Sequence, residues 1–161
     1  MQEHVWFDHL TPLKFLERSA FVYPNKPAVI YGGLTYTYAQ LRERVNRLAG
    51  ALRQAGVAKG DRVAFLVPNI PAMLEGHFGP MSIGAVLVAI NTRLSSLEIG
   101  QILNHCGAKV LVFDSEYADV VRAFRDQVPG VGTFVQVVDT ERKADDIAGP
   151  DYEGFLAGAP A

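Results

Sequence analysis

A single cysteine, Cys106, leaves this 161-residue chain no intrachain disulfide. The stapled frameworks of small secreted domains are therefore excluded, and a reducing, cytoplasmic setting is the expectation. No charge of one sign dominates either: 15 Lys and Arg stand against 17 Asp and Glu. The two signs are interspersed, so no basic stripe gathers phosphates and nucleic acid is not an expected partner. The longest apolar run, Ala85 to Ile90, is far too short to cross a bilayer. Glu3, His4 and Asp8 near the start leave no room for the basic region and apolar stretch of a signal peptide.

Reactive constellations are scarce as well. No Gly-x-x-x-x-Gly-Lys-Ser/Thr loop occurs, and no Ser or Thr cluster among glycines runs into a lysine. Gly130-Val131-Gly132 opens like a dinucleotide fingerprint, but it lacks the third glycine and precedes a strand pattern, so it reads as a turn. His4, His9 and His77 stand apart, and His105-Cys106 are neighbours at a helix end; no metal site is expected. Cys106 and His77 as nucleophile and base would need a strand-turn element to present one of them, and neither has it. A lone cysteine on an apolar helix end reads instead as packed.

What is present is periodicity. Hydrophobic residues make up 49% of the chain, enough for one core. Thr11 and Pro12 start a helix whose Leu13, Leu16 and Ala20 share a face until Pro24 stops it. Ala28–Tyr31 and Leu34–Tyr36, joined by Gly32-Gly33, form a hairpin pattern. Thr37 and Gln40 make a capping box for a helix carrying Leu41, Val45, Leu48 and Leu52, with Gly56 as its left-handed stop. Arg62–Val67 reads as a strand closed by Pro68-Asn69, followed by a helix from about Pro71 to Ile83 that Pro80 is expected to kink or end early.

The uncharged run Ala85–Ile90 predicts a strand covered on both faces, the signature of a parallel sheet. Ser95 and Glu98 cap a further helix through Ile99, Ile102 and Leu103 to Gly107, and Val110–Phe113 is the next strand. Ser115 is the expected cap of a helix with Tyr117, Val120, Val121 and Phe124, and Thr133–Val138 is the last strand. Beyond it, residues 139–161 lose their period and are expected to be weakly ordered, as is a tail over residues 1–10. The alternation predicts an α/β fold: an open, mostly parallel sheet with helices on both faces and a small N-terminal hairpin.

Ligands of such sheets meet the carboxyl ends of the strands, which here are Pro68-Asn69, Asn91-Thr92-Arg93 and Asp114-Ser115. Asn69, Asn91 and Arg93 are the substrate-binding candidates, Arg93 because a guanidinium can grip phosphate or carboxylate through two bonds. Their plainer roles are strand termination for the two asparagines and, for Arg93, an ion pair with Glu98 or a neighbouring helix.

Three segments in order resemble the adenylate-forming enzymes. Leu34-Thr35-Tyr36-Thr37-Tyr38-Ala39-Gln40-Leu41 resembles the family's first core motif, Gly60-Asp61-Arg62-Val63-Ala64 the turn and strand that follow, and Ser82 through Leu94 the second core motif in its acyl-CoA synthetase form. Thr11 to Ala20 and Pro68 to Glu75 are similar to the short- and medium-chain branch. The resemblance implies that residues 1–161 are the N-terminal part of a larger adenylation domain, truncated before the family's Gly-rich loop and catalytic lysine, so no catalytic residue carries over. It implies ATP, Mg2+ and coenzyme A as cofactors and a small carboxylate as substrate for the whole enzyme, none of them bound by this part alone, with a homodimer possible in principle. The competing expectation is a standalone α/β module that binds a small anion or a partner chain without chemistry.

Overall fold

A computed structural model describes residues 10–139, 147 and 149–160. All but the last residue of the expected N-terminal tail, including Val5, Trp6 and Phe7, lie outside the described residues. The chain begins with α1 (Pro12–Val22), the hairpin β1 (Pro27–Tyr31) and β2 (Leu34–Thr37), and α2 (Tyr38–Gln54). An alternating series follows: β3 (Arg62–Leu66), α3 (Pro71–Ser82), β4 (Val86–Ala89), α4 (Ser96–Cys106), β5 (Ala108–Asp114), α5 (Ala118–Phe124) and β6 (Thr133–Val137). A short α6 (Tyr152–Ala157) comes last.

Local chemistry places most of these boundaries. Both capping boxes form: Thr37 Oγ1 accepts from Gln40 N while Gln40 Oε1 accepts from Thr37 N, and Ser95 and Glu98 repeat the arrangement. At the end of α2, Val57 N donates to Leu52 O and Gly56 N to Arg53 O, a paired closure that needs the positive φ of Gly56, 83°. In the hairpin the first turn residue, Gly32, takes a φ of 55°, as a two-residue connection between antiparallel strands requires.

The four-stranded sheet has the order β4-β3-β5-β6 with every pair parallel. Alternation along the strands splits the core in two. Val63, Phe65, Val110, Val112, Val135 and Val137 face Leu48 and Leu52 of α2, Ala72 of α3 and Tyr152 and Leu156 of α6. Ala64, Leu66, Leu111, Phe113 and Phe134 face Ile99 and Leu103 of α4 and Val121 and Phe124 of α5. A smaller third cluster seats the hairpin's Ala28 and Val29 against Leu16, Leu41 and Val45. The α3 helix sits close enough that a Cβ on Gly76 would lie 2.7 Å from Phe65, and one on Gly79 2.5 Å from Leu48.

Four expectations are corrected. Ala85–Ile90 is not covered on both faces: its central four residues form the sheet edge β4, where Val86 is 50% exposed. A short uncharged run records only that apolar cover is wanted, not whether this stretch of chain supplies it. Pro80 does not end α3, which continues to Ser82. The Pro80 carbonyl closes the helix by accepting from Ile83 N and Ala85 N at 3.1 and 2.9 Å. Ser115 is not a cap; Asp114 accepts from Glu116 N and opens a 3-10 turn over Ser115–Tyr117 ahead of α5. Finally, the stretch expected to be weakly ordered contains α6, capped by Asp151 and buried through Tyr152 and Leu156.

One polar cluster ties α2, α3 and α6 together. Glu75 of α3 is 0% exposed; Arg44 Nε donates to its Oε1 at 2.6 Å, and Tyr152 Oη donates to Oε2 at 2.7 Å. Arg44 also donates to both carboxylate oxygens of Glu153 and stacks over the Tyr36 ring at 4.8 Å. Burial pushes the Glu75 carboxyl up, against the hydrogen bonds from Arg44 and Tyr152. Burial works against the Arg44 charge too, but the bonds to Glu153 and Glu75 outweigh it and hold the guanidinium protonated. Arg44→Ala should strand the Glu75 carboxylate and cost about 3–5 kcal/mol, whereas Tyr152→Phe, which removes one bond, should cost about 1–2 kcal/mol. Urea denaturation of the two variants checks the ranking; equal and small losses would show that the cluster does not hold the helices.

Candidate functional site

The chain leaves β3 for α3 on one face of the sheet and leaves β5 for α5 on the other. Loops that diverge in this way open a crevice at the carboxyl ends of the two strands, the usual place for a ligand in an open α/β sheet. Pro68-Asn69 follows β3 on one side, and Asp114-Ser115 ends β5 on the other. Asp139 follows β6, and the hairpin reaches across to it: Tyr31 Oη donates to Asp139 Oδ2 at 2.7 Å.

Between hairpin and α3 lies an open cleft of about 310 Å³, lined mainly by Ile30, Tyr31, Asn69, Ile70, Met73 and His77. Of the three sequence candidates, only exposed Asn69 lines it. Asn91 and Arg93 follow the neighbouring strand on the same edge and are joined to each other, Asn91 Oδ1 accepting from Arg93 N at 3.0 Å. This local turn is the plain role foreseen for Asn91. The ion pair of Arg93 with Glu98 does not form; the Glu98 carboxylate instead takes Ser95 N and Ser95 Oγ at 2.8 and 2.7 Å. His77 and Cys106 are kept apart by the sheet, His77 on α3 and half-buried Cys106 at the end of α4 with its Sγ donating to Leu103 O.

Asp114, which the sequence places at the ligand edge without naming it as a binding candidate, stands out in the structure. It is 0% exposed, its Oδ1 accepts from Glu116 N at 2.8 Å, and its Oδ2 has no partner among the described residues. Burial, resisted by the Glu116 N–H and reinforced by the charges of Asp139 and Glu116, pushes the Asp114 carboxyl above its ordinary value. Its signal in the sequence is an acidic residue closing the apolar run Val110–Phe113, which reads equally as a strand end. Gln136 Nε2, also buried and without a partner among the described residues, extends from the opposite face, the one shared with Phe134.

Phosphates are poorly served along this edge. The α3 helix starts with Pro71, which has no N–H, and with no side-chain cap. The start of α4 carries Glu98, whose pKa the Ser95 hydrogen bonds lower, and the turn before α5 carries Asp114 and Glu116. Carboxylates occupy the positions where an anion would be stabilised by helix N–H groups. Among the described residues no three His, Cys, Asp or Glu side chains gather as a metal site, and no helix is long and apolar enough to cross a membrane.

The model of the AMP-binding enzyme family matches residues 16–154. A peroxisomal butyrate–CoA ligase of Arabidopsis thaliana is 41% identical over 120 residues, which cover 74% of this chain and 21% of that protein. A peroxisomal trans-cinnamate:CoA ligase of Petunia hybrida is 44% identical over 113 residues, 70% of this chain and 20% of that protein. The chain thus spans about a fifth of the length of these relatives. Among solved structures, an anthranilate CoA ligase in complex with anthranoyl-AMP superposes with a TM-score of 0.84 at 26% identity, covering 92% of this chain and 28% of that one. A fatty acyl CoA synthetase of Mycobacterium tuberculosis does so with a TM-score of 0.79 at 32% identity and the same coverage.

A carboxyl whose folded pKa lies above its unfolded value opposes folding once it must ionise, and the cost vanishes where both states are protonated. Asp114→Asn should therefore raise the melting temperature at pH 7, and the gain should disappear as pH falls below the ordinary aspartate value of 3.8. Melting curves of both proteins between pH 3 and 7 test this; a variant less stable at pH 7 would show that ionised Asp114 is stabilised where it stands.

Proposed function

Since the chain belongs to the AMP-binding enzyme family, we propose that it is the N-terminal part of an acyl-CoA synthetase, which joins a small carboxylate to coenzyme A through an acyl adenylate. The observation that carries the reading is the family match over residues 16–154 on a parallel sheet shared with CoA ligases. The relatives at 41% and 44% identity are named for butyrate and trans-cinnamate, which supports a carboxylic acid as substrate class and leaves its size open. In such a reaction a carboxylate oxygen attacks the α-phosphorus of ATP and expels pyrophosphate, and a thiol then displaces AMP from the acyl carbon.

The residues present do not fit ATP or Mg2+. Acidic side chains stand at the helix starts of the ligand edge, and the described residues supply no trio of carboxylates or imidazoles. No chemical step is therefore assigned to this chain. Its part is to present a rigid sheet edge against which other polypeptide closes, with Asn69, Asn91 and Arg93 as rim groups for an anionic substrate. Arg93 supports this best, since its exposed guanidinium is not spent on Glu98. Cytoplasmic residence and a homodimer belong to the same proposal; the free thiol of Cys106 and the exposed Phe15 and Phe21 of α1, with Tyr23 just after it, support them.

The 161-residue chain alone should give no ATP–pyrophosphate exchange with any carboxylate, whereas a polypeptide extended to the length of the relatives should give acyl-CoA, AMP and pyrophosphate. Exchange by the short chain, or none by the long one with a panel of short, medium and aromatic acids, would sink the proposal. In the long polypeptide Arg93→Ala should lower kcat/KM about tenfold, the weight of one charged hydrogen bond. An unchanged kcat/KM would remove Arg93 from the rim.

A further inference from the structure

A second groove, away from the ligand edge, lies open where α1 crosses the hairpin, α2 and α3. Phe15 and Leu16 of α1, Ala28 of the hairpin, Leu41 of α2 and Leu74 and Phe78 of α3 bound a space of about 400 Å³. Ser19 and Tyr38 add hydroxyls to the lining, and none of the described residues that line it is charged. An ion or a small carboxylate would lose its hydration there without gaining a partner. The surface is nonetheless unfinished: Phe15 is 58% exposed, and Leu74 and Phe78 are only half-buried. Bulky apolar side chains are the occupants that suit such a lining.

The chain carries such side chains within reach. Pro12, the first residue of α1, itself lines the groove, and Val5-Trp6-Phe7 stand five to seven positions before it. Thr11 enters the helix from extended backbone, with φ −124° and ψ 156°. Five extended residues span about 16 Å, whereas the stretch of α1 along the groove, Pro12 to Ser19, rises only about 10 Å. The tether is therefore long enough for these residues to return along the whole groove. Covalent attachment also gives them an effective concentration on the order of millimolar, which an untethered apolar group must exceed to compete.

We propose that this groove is the seat of the chain's own Val5-Trp6-Phe7. The Trp6 ring packs against Phe15 and Phe78, and its indole N–H donates to the Ser19 or Tyr38 hydroxyl, as a buried tryptophan requires. Leu74 lines both this groove and the cleft between hairpin and α3, so a filled groove braces the cleft wall from behind. The seat uses neither nucleotide nor acyl chemistry and stands or falls apart from the ligase reading.

Trp6 is the chain's only tryptophan, so tryptophan fluorescence reads this one position. In the native 161-residue chain its emission should lie to the blue of the urea-denatured chain, and acrylamide should quench it several-fold less. Phe15→Glu, at an exposed position, and Ser19→Lys, at a half-buried one, each put a charge into the groove. Both should move the emission to the denatured position and restore quenching while far-UV circular dichroism stays native; either one suffices if the other folds poorly. Trp6→Ala should lower the melting temperature by several degrees and raise the binding of a dye that reports exposed apolar surface. Solvent-like emission from native Trp6 would leave the groove to other polypeptide and overturn the proposal. Protected emission that the groove variants leave unchanged would place Trp6 elsewhere, and protection lost on dilution would place it in a second copy; each overturns the proposal, as does a Trp6→Ala variant with unchanged melting and dye binding.

Discussion

The buried carboxylate of Glu75 constrains everything packed on its side of the sheet. An acid that is 0% exposed in α3 survives only because Arg44 reaches it from α2 and Tyr152 from α6, so three helices must stand in one arrangement to keep it paired. Apolar contacts around Leu48, Leu52 and Leu156 supply most of the burial, yet they tolerate sliding far better than a carboxylate held at 2.6 and 2.7 Å. The cluster thereby sets how α3 meets the sheet, and α3 carries Met73 and His77 into the cleft.

The opposite face is built mainly from hydrophobic packing, with Gln136 as a buried polar residue within it. Ile99, Leu103, Val121 and Phe124 cover Leu111 and Phe113 with no ionic partner buried among them. The Glu75 cluster and the carboxyl edge around Asp114 differ in kind. At Glu75 the buried carboxylate has a donor on each oxygen, Arg44 and Tyr152, which suits a structural joint. At Asp114 one buried oxygen is left without a donor among the described residues.

The helix starts on the ligand edge carry Glu98, Asp114 and Glu116. Carboxylates at these positions disfavour an anion at the helix N–H groups. An edge strand with Val86 half exposed and no charge between Ala85 and Ile90 is an unfinished surface for a free-standing domain and an ordinary one for a domain that packs further.

Much of this was written locally. Thr37 with Gln40, Ser95 with Glu98, Gly56 and Gly107 fixed helix ends because a cap depends on residues a few positions away, and the strand–helix alternation led directly to the parallel sheet. The early end read at Pro80 did not come about, since α3 continues to Ser82, and α6 was missed because six residues hold too little periodicity to stand out. Tertiary closure alone decided the rest: that β4 is an edge, that Arg44 meets residues 31 and 109 positions away, and that Asp114 keeps an oxygen without a donor. Propensity and capping act within a turn or two of the chain, whereas desolvation and charge pairing depend on which distant segments arrive, and a sequence pattern states the need for such partners without saying who they are.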